Sequence, residues 1–128
     1  MTGANETSAA LQRLAPCPSS PNCVSTLATS DRHRIAPYRY NRTLDEAKRR
    51  LKEIVGAQRG AKIVKEDETY LHVEFTSRIF RFVDDVEFVF EDRTQTIHFR
   101  SASRTGYSDF GVNRSRMEEI RQLLNGKI

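Results

Sequence analysis

The strongest constraint on the fold is a change of hydrophobic period after residue 60. Before that point the apolar residues recur at helical spacing, whereas from residue 71 onward they alternate with polar ones. The alternating stretches are Leu-His-Val-Glu-Phe at 71–75, Val-Glu-Phe at 86–88 and Ile-His-Phe-Arg at 97–100, and a weaker strand is predicted at 61–65. A period of two is typical of antiparallel strands that bury one face. The chain therefore predicts an antiparallel sheet with one covered face.

Two amphipathic helices are predicted to cover that face. Thr43, followed three residues later by Glu46, forms a capping box ahead of an apolar helical pattern that runs to Val55. A second helix is predicted near the C-terminus, with Asn113 as its N-cap and Gly126 beyond its end. Its apolar stripe consists of Met117, Ile120, Leu123 and Leu124. We therefore expect an α+β fold in which two helices pack on one face of an antiparallel sheet of three to five strands.

The length of 128 residues indicates a single domain. Residues 1–15 are predicted to be a flexible tail, and residues 16–128 a single α+β domain that opens with an irregular, proline-rich loop at 16–25. No apolar run approaches the roughly 20 residues that a membrane-spanning helix needs. Residues 1–15 lack the apolar stretch of a secretion leader, so the sequence alone predicts a cytoplasmic protein.

The hairpin around residues 86–99 allows its strand register to be predicted. A two-residue turn at 92–93 places Phe88 opposite Ile97, so that apolar residues oppose each other on the buried face. The same register places Asp85 opposite Arg100 on the outer face, where the two are expected to form a cross-strand ion pair.

The charge of the chain is segregated along its length. The net charge of the whole chain is +4, but it is +5 for residues 31–60, −5 for residues 61–92 and +4 for residues 93–128. Sixteen of the 21 basic residues are arginines, whose planar guanidinium suits carboxylates and phosphates. Weak nucleic-acid binding through residues 31–60 is a secondary alternative, because the acidic segment lies beside that stretch.

The start of the last helix has the wrong sign of charge. Arg114 and Arg116 stand where the helix dipole favours acidic residues. In one interpretation, an anion binds the free backbone N–H groups there. In the other, the arginines pair with Asp84, Asp85 or Asp109. The candidate ligand-binding residues are Arg100, Ser101, Ser103, Arg104, Tyr107, Asp109, Asn113, Arg114, Arg116 and Asp84.

Asp84 shares the parity of the buried residues on its strand, and the predicted register places it opposite Ser101. A carboxylate on the core side needs partners, and Arg78, Arg81 and Arg104 are the candidates. The alternative to a structural ion pair is catalysis. In that case the protein is a small hydrolase or transferase that uses Asp84 or Asp109 together with Arg104 or Tyr107.

Cys17 and Cys23 lie in the proline-rich loop, separated by five residues. Three alternatives stay open: a disulfide, two free thiols, or a metal or catalytic role. A disulfide would indicate a periplasmic or lumenal compartment rather than the cytoplasm. The usual phosphate, dinucleotide and zinc motifs do not occur, so no cofactor and no metal are expected.

Three stretches resemble the family called domain of unknown function 1499. They are Cys-Pro-Ser-Ser-Pro-Asn-Cys-Val-Ser at 17–25, Phe-Val-Asp-Asp-Val-Glu-Phe at 82–88, and the long motif from Arg100 to Arg116. The resemblance spans residues 16–124. It implies bacterial and plastid relatives, many of them similar to exported or membrane-anchored proteins, and no agreed activity. The family's polar signature corresponds here to Cys17, Cys23, Asp84, Asp85, Glu87, Arg100, Ser101, Ser103, Arg104, Asp109, Asn113 and Arg114.

These observations favour a non-catalytic binding or accessory domain. Its expected partner is an anionic small molecule or an acidic protein segment, recognised at the start of the C-terminal helix by the arginines of residues 100–116.

Overall fold

The computed structural model describes residues 11–106 and 108–128. Two helices, α1 (Leu44–Gly56) and α2 (Val112–Leu124), pack on one face of a six-stranded antiparallel sheet. The strands are β1 (Cys23–Ser25), β2 (Tyr38–Arg39), β3 (Ala61–Asp67), β4 (Tyr70–Thr76), β5 (Val83–Glu91) and β6 (Thr96–Ser103). Their order is β1-β6-β5-β4-β3, and β2 also pairs with β6.

The α+β fold with two helices on one face is confirmed, but three to five strands was too few. The additional strands are β1 and β2, which are three and two residues long. Both pair with β6, one near each of its ends. Residues 38–41 could form a short edge strand on sequence grounds, and β2 lies there. β1 instead falls inside the segment predicted to be an irregular loop, so only tertiary pairing reveals it.

Helix α1 follows the sequence prediction closely. The Thr43 hydroxyl accepts a hydrogen bond from the Glu46 backbone N–H at 3.2 Å, as the capping box requires. Leu51 and Val55 are fully buried against the sheet. The helix ends at Gly56, and the chain then turns at Gly60, whose φ is +77°. A side chain at Gly60 would meet the Thr76 carbonyl oxygen at 2.3 Å, so β3 can begin there only with glycine.

The core lies between the sheet and the helices and is rich in aromatic residues. Phe88 and Phe99 are fully buried, with ring centroids 6.1 Å apart. The ring centroid of Tyr38 lies 4.5 Å from that of Phe99. Helix α2 contributes the buried Met117. Leu123 is 39% exposed, so it lies outside the buried stripe in which it was predicted.

The predicted register of the β5–β6 hairpin is wrong by two residues. A four-residue loop, 92–95, joins the strands, and Gln95 closes it at a φ of 52°. Phe88 therefore lies opposite Phe99, and Asp85 lies opposite Ala102 rather than Arg100. Because a shift of two residues preserves side-chain parity, the buried face was predicted correctly while the partners were not.

The second face of the sheet carries a small apolar cluster of its own. Leu14 is buried there against Tyr70 and Val89, and Leu11 packs beside them. Leu14 falls within the predicted tail of residues 1–15, of which residues 1–10 lie outside the described part of the chain.

A disulfide joins Cys17 to Cys23 and closes the proline-rich loop. Cys23 is fully buried at the start of β1 and lies opposite Ala102 of β6. The structure thus selects the disulfide among the three alternatives, and it attaches the loop to the strand that leads into the predicted site.

Candidate functional site

The predicted site residues at the start of α2 surround a buried side chain, that of Asn113. Its Oδ1 accepts a hydrogen bond from the Ser101 hydroxyl. Its Nδ2 donates to Asp109 at 2.7 Å and to the Ser103 hydroxyl at 3.0 Å. Asn113 and Ser101 are both fully buried. Asn113 is thus not the N-cap that the sequence predicted, but the polar centre that joins α2 to β6.

The helix start is capped by Asp109. Its carboxylate accepts the backbone N–H of Gly111 at 2.8 Å and that of Asn113 at 2.9 Å. Burial by itself raises the pKa of Asp109, but the hydrogen bonds from Asn113 and Gly111 outweigh it and hold that pKa below its usual range. The chain thus supplies its own anion at this helix terminus. The N–H groups of Gly111 and Asn113 at this terminus are therefore already bound within the chain.

Arg116 pairs with Asp84 at 2.7 Å, and both side chains are largely buried. Its guanidinium also donates to Asn113 at 3.2 Å and lies 4.6 Å above the centre of the Phe75 ring. The interpretation that this arginine pairs with an acid of the sheet is confirmed. Asp84 is one of the three acids named for this pairing, whereas Arg78, Arg81 and Arg104, proposed separately as its partners, do not bind it. Asp84 also lies opposite Ser103 rather than the predicted Ser101.

The side chain of Arg114 makes structural hydrogen bonds to backbone carbonyl groups. Its guanidinium donates to the backbone carbonyls of Arg34 at 2.9 Å and Arg32 at 3.1 Å. The side chain thereby attaches the first turn of α2 to the segment that follows β1.

Two further predicted residues, Arg100 and Arg104, lie on the opposite face of the sheet. Arg104 donates to Asp85 at 2.7 Å and to Glu74 at 2.6 Å, and His72 contacts Asp85 at 2.8 Å. Hydrogen bonds from Arg104 and, more weakly, His72 hold the pKa of Asp85 below its usual range despite partial burial. Arg100 reaches the Pro16 carbonyl at 3.4 Å instead of Asp85. The predicted residues thus form two separate networks, and Tyr107 lies outside the described residues.

A different group of residues lies at the end of the sheet where β3 begins and β4 ends. The β4–β5 hairpin there closes through the backbone of Ser77 and Phe82, with the Ser77 N–H donating to the Phe82 carbonyl at 2.8 Å. Its loop exposes 80% of Ile79 and 72% of Phe80. Arg81 has a φ of 58°, in the left-handed region that completes such a four-residue loop.

An open cleft of about 570 Å³ lies at the base of this hairpin. We call it the arginine cleft, and its lining residues are Arg59, Gly60, Ala61, Thr76, Arg78 and Arg81. Its three arginines make no ion pair and donate no side-chain hydrogen bond to any residue in the described ranges. Arg78 and Arg81 were predicted as partners of Asp84, which instead binds Arg116.

The sequence contained a signal for this cleft. The stretch Arg-Ile-Phe-Arg-Phe at 78–82 lies between two alternating strands, where turn-forming residues such as Gly, Asn, Asp and Pro are expected. Apolar residues at a hairpin tip, flanked by cations, are an exception to that pattern. Arg59 had no such signal, since only the folding of α1 onto the sheet brings it there.

In a comparison with protein-family models, residues 13–124 match the model described as a protein of unknown function (DUF1499). The chain belongs to the DUF1499 family. The match begins just before the disulfide loop and ends with α2, so it includes both the Asn113 network and the arginine cleft of this DUF1499 domain. No curated protein and no solved structure matches the chain significantly.

None of the helices in the described residues is both long and apolar enough to cross a membrane.

Proposed function

We propose that this DUF1499 domain is a non-catalytic binding module that recognises an anionic group in the arginine cleft. The observation that carries the proposal is the unpaired state of Arg59, Arg78 and Arg81 around one opening, within the described residues. Three arginines line this one open cleft, and a guanidinium group can form bidentate hydrogen bonds with a phosphate or carboxylate.

The contrast with the arginines of the predicted site supports this location. Arg104, Arg114 and Arg116 are all engaged with carboxylates or backbone carbonyls. The arginine cleft lies beside the start of α2, because Arg59 also lines the neighbouring opening with Phe110 and Val112. The proposal therefore keeps an anion near the C-terminal helix but assigns it to side chains rather than to the helix N–H groups.

The two alternatives receive less support. The carboxylates named for a hydrolase or transferase, Asp84 and Asp109, are bound by Arg116 and by the start of α2. For nucleic-acid binding, the basic face of α1 is offset by acids, since Lys48 and Lys52 both pair with Glu66 of β3.

We expect inorganic phosphate to shift the backbone amide resonances of residues 59–61 and 76–82 in an NMR titration, while those of residues 111–117 stay unchanged. Arg59→Gln should weaken the affinity about tenfold, since a charge-assisted hydrogen bond contributes roughly 1.5 kcal/mol. Arg81→Gln should do the same.

The matched control for this titration is Arg42→Gln. Arg42 is exposed, and its backbone carbonyl contacts Gln95 at the opposite end of the sheet. This variant should bind phosphate like the unaltered protein. Shifts at residues 111–117 instead, or equal affinity in all variants, would contradict the proposed location.

The disulfide also bears on where the domain works. We propose an oxidising compartment such as a periplasm or a lumen, because a Cys17–Cys23 disulfide persists there and is reduced in most cytosols. Rapid alkylation in intact cells should label neither cysteine until a reductant is added. Labelling of both thiols without reductant would place the domain in a reducing compartment.

A further inference from the structure

The most exposed apolar side chains of the domain gather at one end of it. Among residues 11–106 and 108–128, the five large apolar side chains with the greatest exposure belong to the β4–β5 hairpin and to the segment that opens α2. We call this group the apolar tip; it consists of Ile79, Phe80, Phe82, Phe110 and Val112.

The sheet topology places these side chains together. Thr76 at the end of β4 lies opposite Val83 at the start of β5, and Asp84 lies opposite Ser103 near the end of β6. The hairpin and the segment after β6 therefore leave the sheet at the same end. The arginine cleft opens at that end too, because β3 begins there with Ala61 opposite Phe75.

The apolar tip is held in an ordered arrangement. The Phe80 and Phe82 rings stack with centroids 5.6 Å apart. Phe110 is 95% exposed at a φ of 55°, a left-handed conformation that is costly for a phenylalanine. The adjacent Asp109 cap holds it there through the bond to Gly111. The exposed ring of Phe110 is thus carried on a strained backbone that the hydrogen bond to Asp109 supports.

From these observations we propose that the apolar tip docks on an anionic lipid surface, with the arginine cleft receiving a lipid phosphate. This inference rests on the proposed function for the charge of the cleft and adds the nature of the partner. Apolar side chains flanked by unpaired arginines match the membrane interface, where acyl chains lie directly beneath anionic headgroups.

The protruding shape favours lipid over a protein partner. Ile79, Phe80 and Phe110 project with 72% or more of their surface uncovered. A protein would need a separate matching pocket for each of these side chains, whereas a lipid layer deforms around them. Glu119 of α2 is the one carboxylate among the described residues that line the opening next to the cleft, which it shares with Phe110 and Val112.

The test is co-sedimentation with large vesicles of phosphatidylcholine, alone or mixed equally with phosphatidylglycerol. We expect the full chain to sediment with the mixed vesicles and only weakly with the neutral ones. Ile79→Ser with Phe80→Ser should reduce binding to the mixed vesicles roughly a hundredfold, because two apolar side chains no longer enter the bilayer. Arg78→Gln with Arg81→Gln should reduce it about thirtyfold and leave the weak neutral binding unchanged.

The control is Leu123→Ser, which removes an exposed apolar side chain from the other end of α2 and should bind vesicles like the unaltered protein. All altered residues are exposed, and equal thermal unfolding midpoints would show that the variants fold.

If the unaltered protein stays in the supernatant with both kinds of vesicle, or if the tip variants bind as well as the unaltered protein, the lipid proposal is wrong. A protein partner is then the remaining occupant of the tip. Phosphate binding without vesicle binding would overturn this inference and leave the proposed function standing. If the arginine variants bind vesicles as well as the unaltered protein, and the protein does not bind phosphate, the proposed function is wrong. The assignment of a lipid phosphate to the cleft is then wrong as well.

Discussion

Asn113→Ala is expected to lower the free energy of unfolding by about 3 kcal/mol, because the loss leaves several buried polar groups without a partner. The side chain is fully buried and joins Ser101 and Ser103 of β6 to the Asp109 cap. An alanine would leave the buried Ser101 hydroxyl without its hydrogen-bond acceptor and would remove a hydrogen-bond donor from the Asp109 carboxylate. Urea unfolding followed by circular dichroism measures the change through its midpoint and slope.

Two further variants sharpen this experiment. Asn113→Asp keeps the volume but replaces the amide donor with a second carboxylate facing Asp109, so it should destabilise at least as much at neutral pH. Asn125→Ala removes an exposed asparagine just beyond the same helix and should cost less than about 0.5 kcal/mol. Equal midpoints for Asn113→Ala and Asn125→Ala would show that the buried network adds little to stability.

Asp84→Ala should destabilise the domain by about 2–3 kcal/mol, because it leaves the guanidinium of Arg116 without its carboxylate in a largely buried position. The side chains of Asp84 and Arg116 are 11% and 16% exposed, and the Arg116 guanidinium lies over the Phe75 ring. The same urea experiment measures the effect.

The informative comparison is the double variant Asp84→Leu with Arg116→Met. Because an apolar pair of similar volume avoids the desolvation of both charges, it should be more stable than Asp84→Ala. A double variant that is instead less stable than the single one would mean that Arg116 stabilises the fold mainly through Asn113 and Phe75 rather than through the ion pair.

The strand faces and the helix caps differ in how far sequence could predict them. Alternation correctly assigned Val86 and Phe88 to the buried face, and the capping box correctly placed the start of α1. The sequence predicted Asn113 as the cap of α2, but the side chain that binds the N–H groups there is that of Asp109, four residues earlier. An aspartate and an asparagine are equally good caps on sequence grounds, and only the burial of Asn113 decides between them.

At the candidate site, the sequence predicted less than it did for the strand faces and the start of α1. The conflict between the arginines and the α2 dipole suggested an external anion at the start of the helix, and the structure places the carboxylate of the chain's own Asp109 there. The arginine cleft was missed because Arg59 lies in the turn after α1, whereas Arg78 and Arg81 come from a hairpin distant in sequence.

By itself, the sequence determined which faces are buried, where α1 begins, and which loop carries the cysteines, because these features depend on local periodicity and on neighbouring residues. Only the tertiary structure decided the strand register, the partners of Asp84 and Asp109, and the gathering of arginines and apolar side chains at one end of the sheet. The physical reason is that a strand can shift by two residues, and an ion pair can change partners, without altering the hydrophobic pattern. The choice among those alternatives depends on how the helices pack against the sheet.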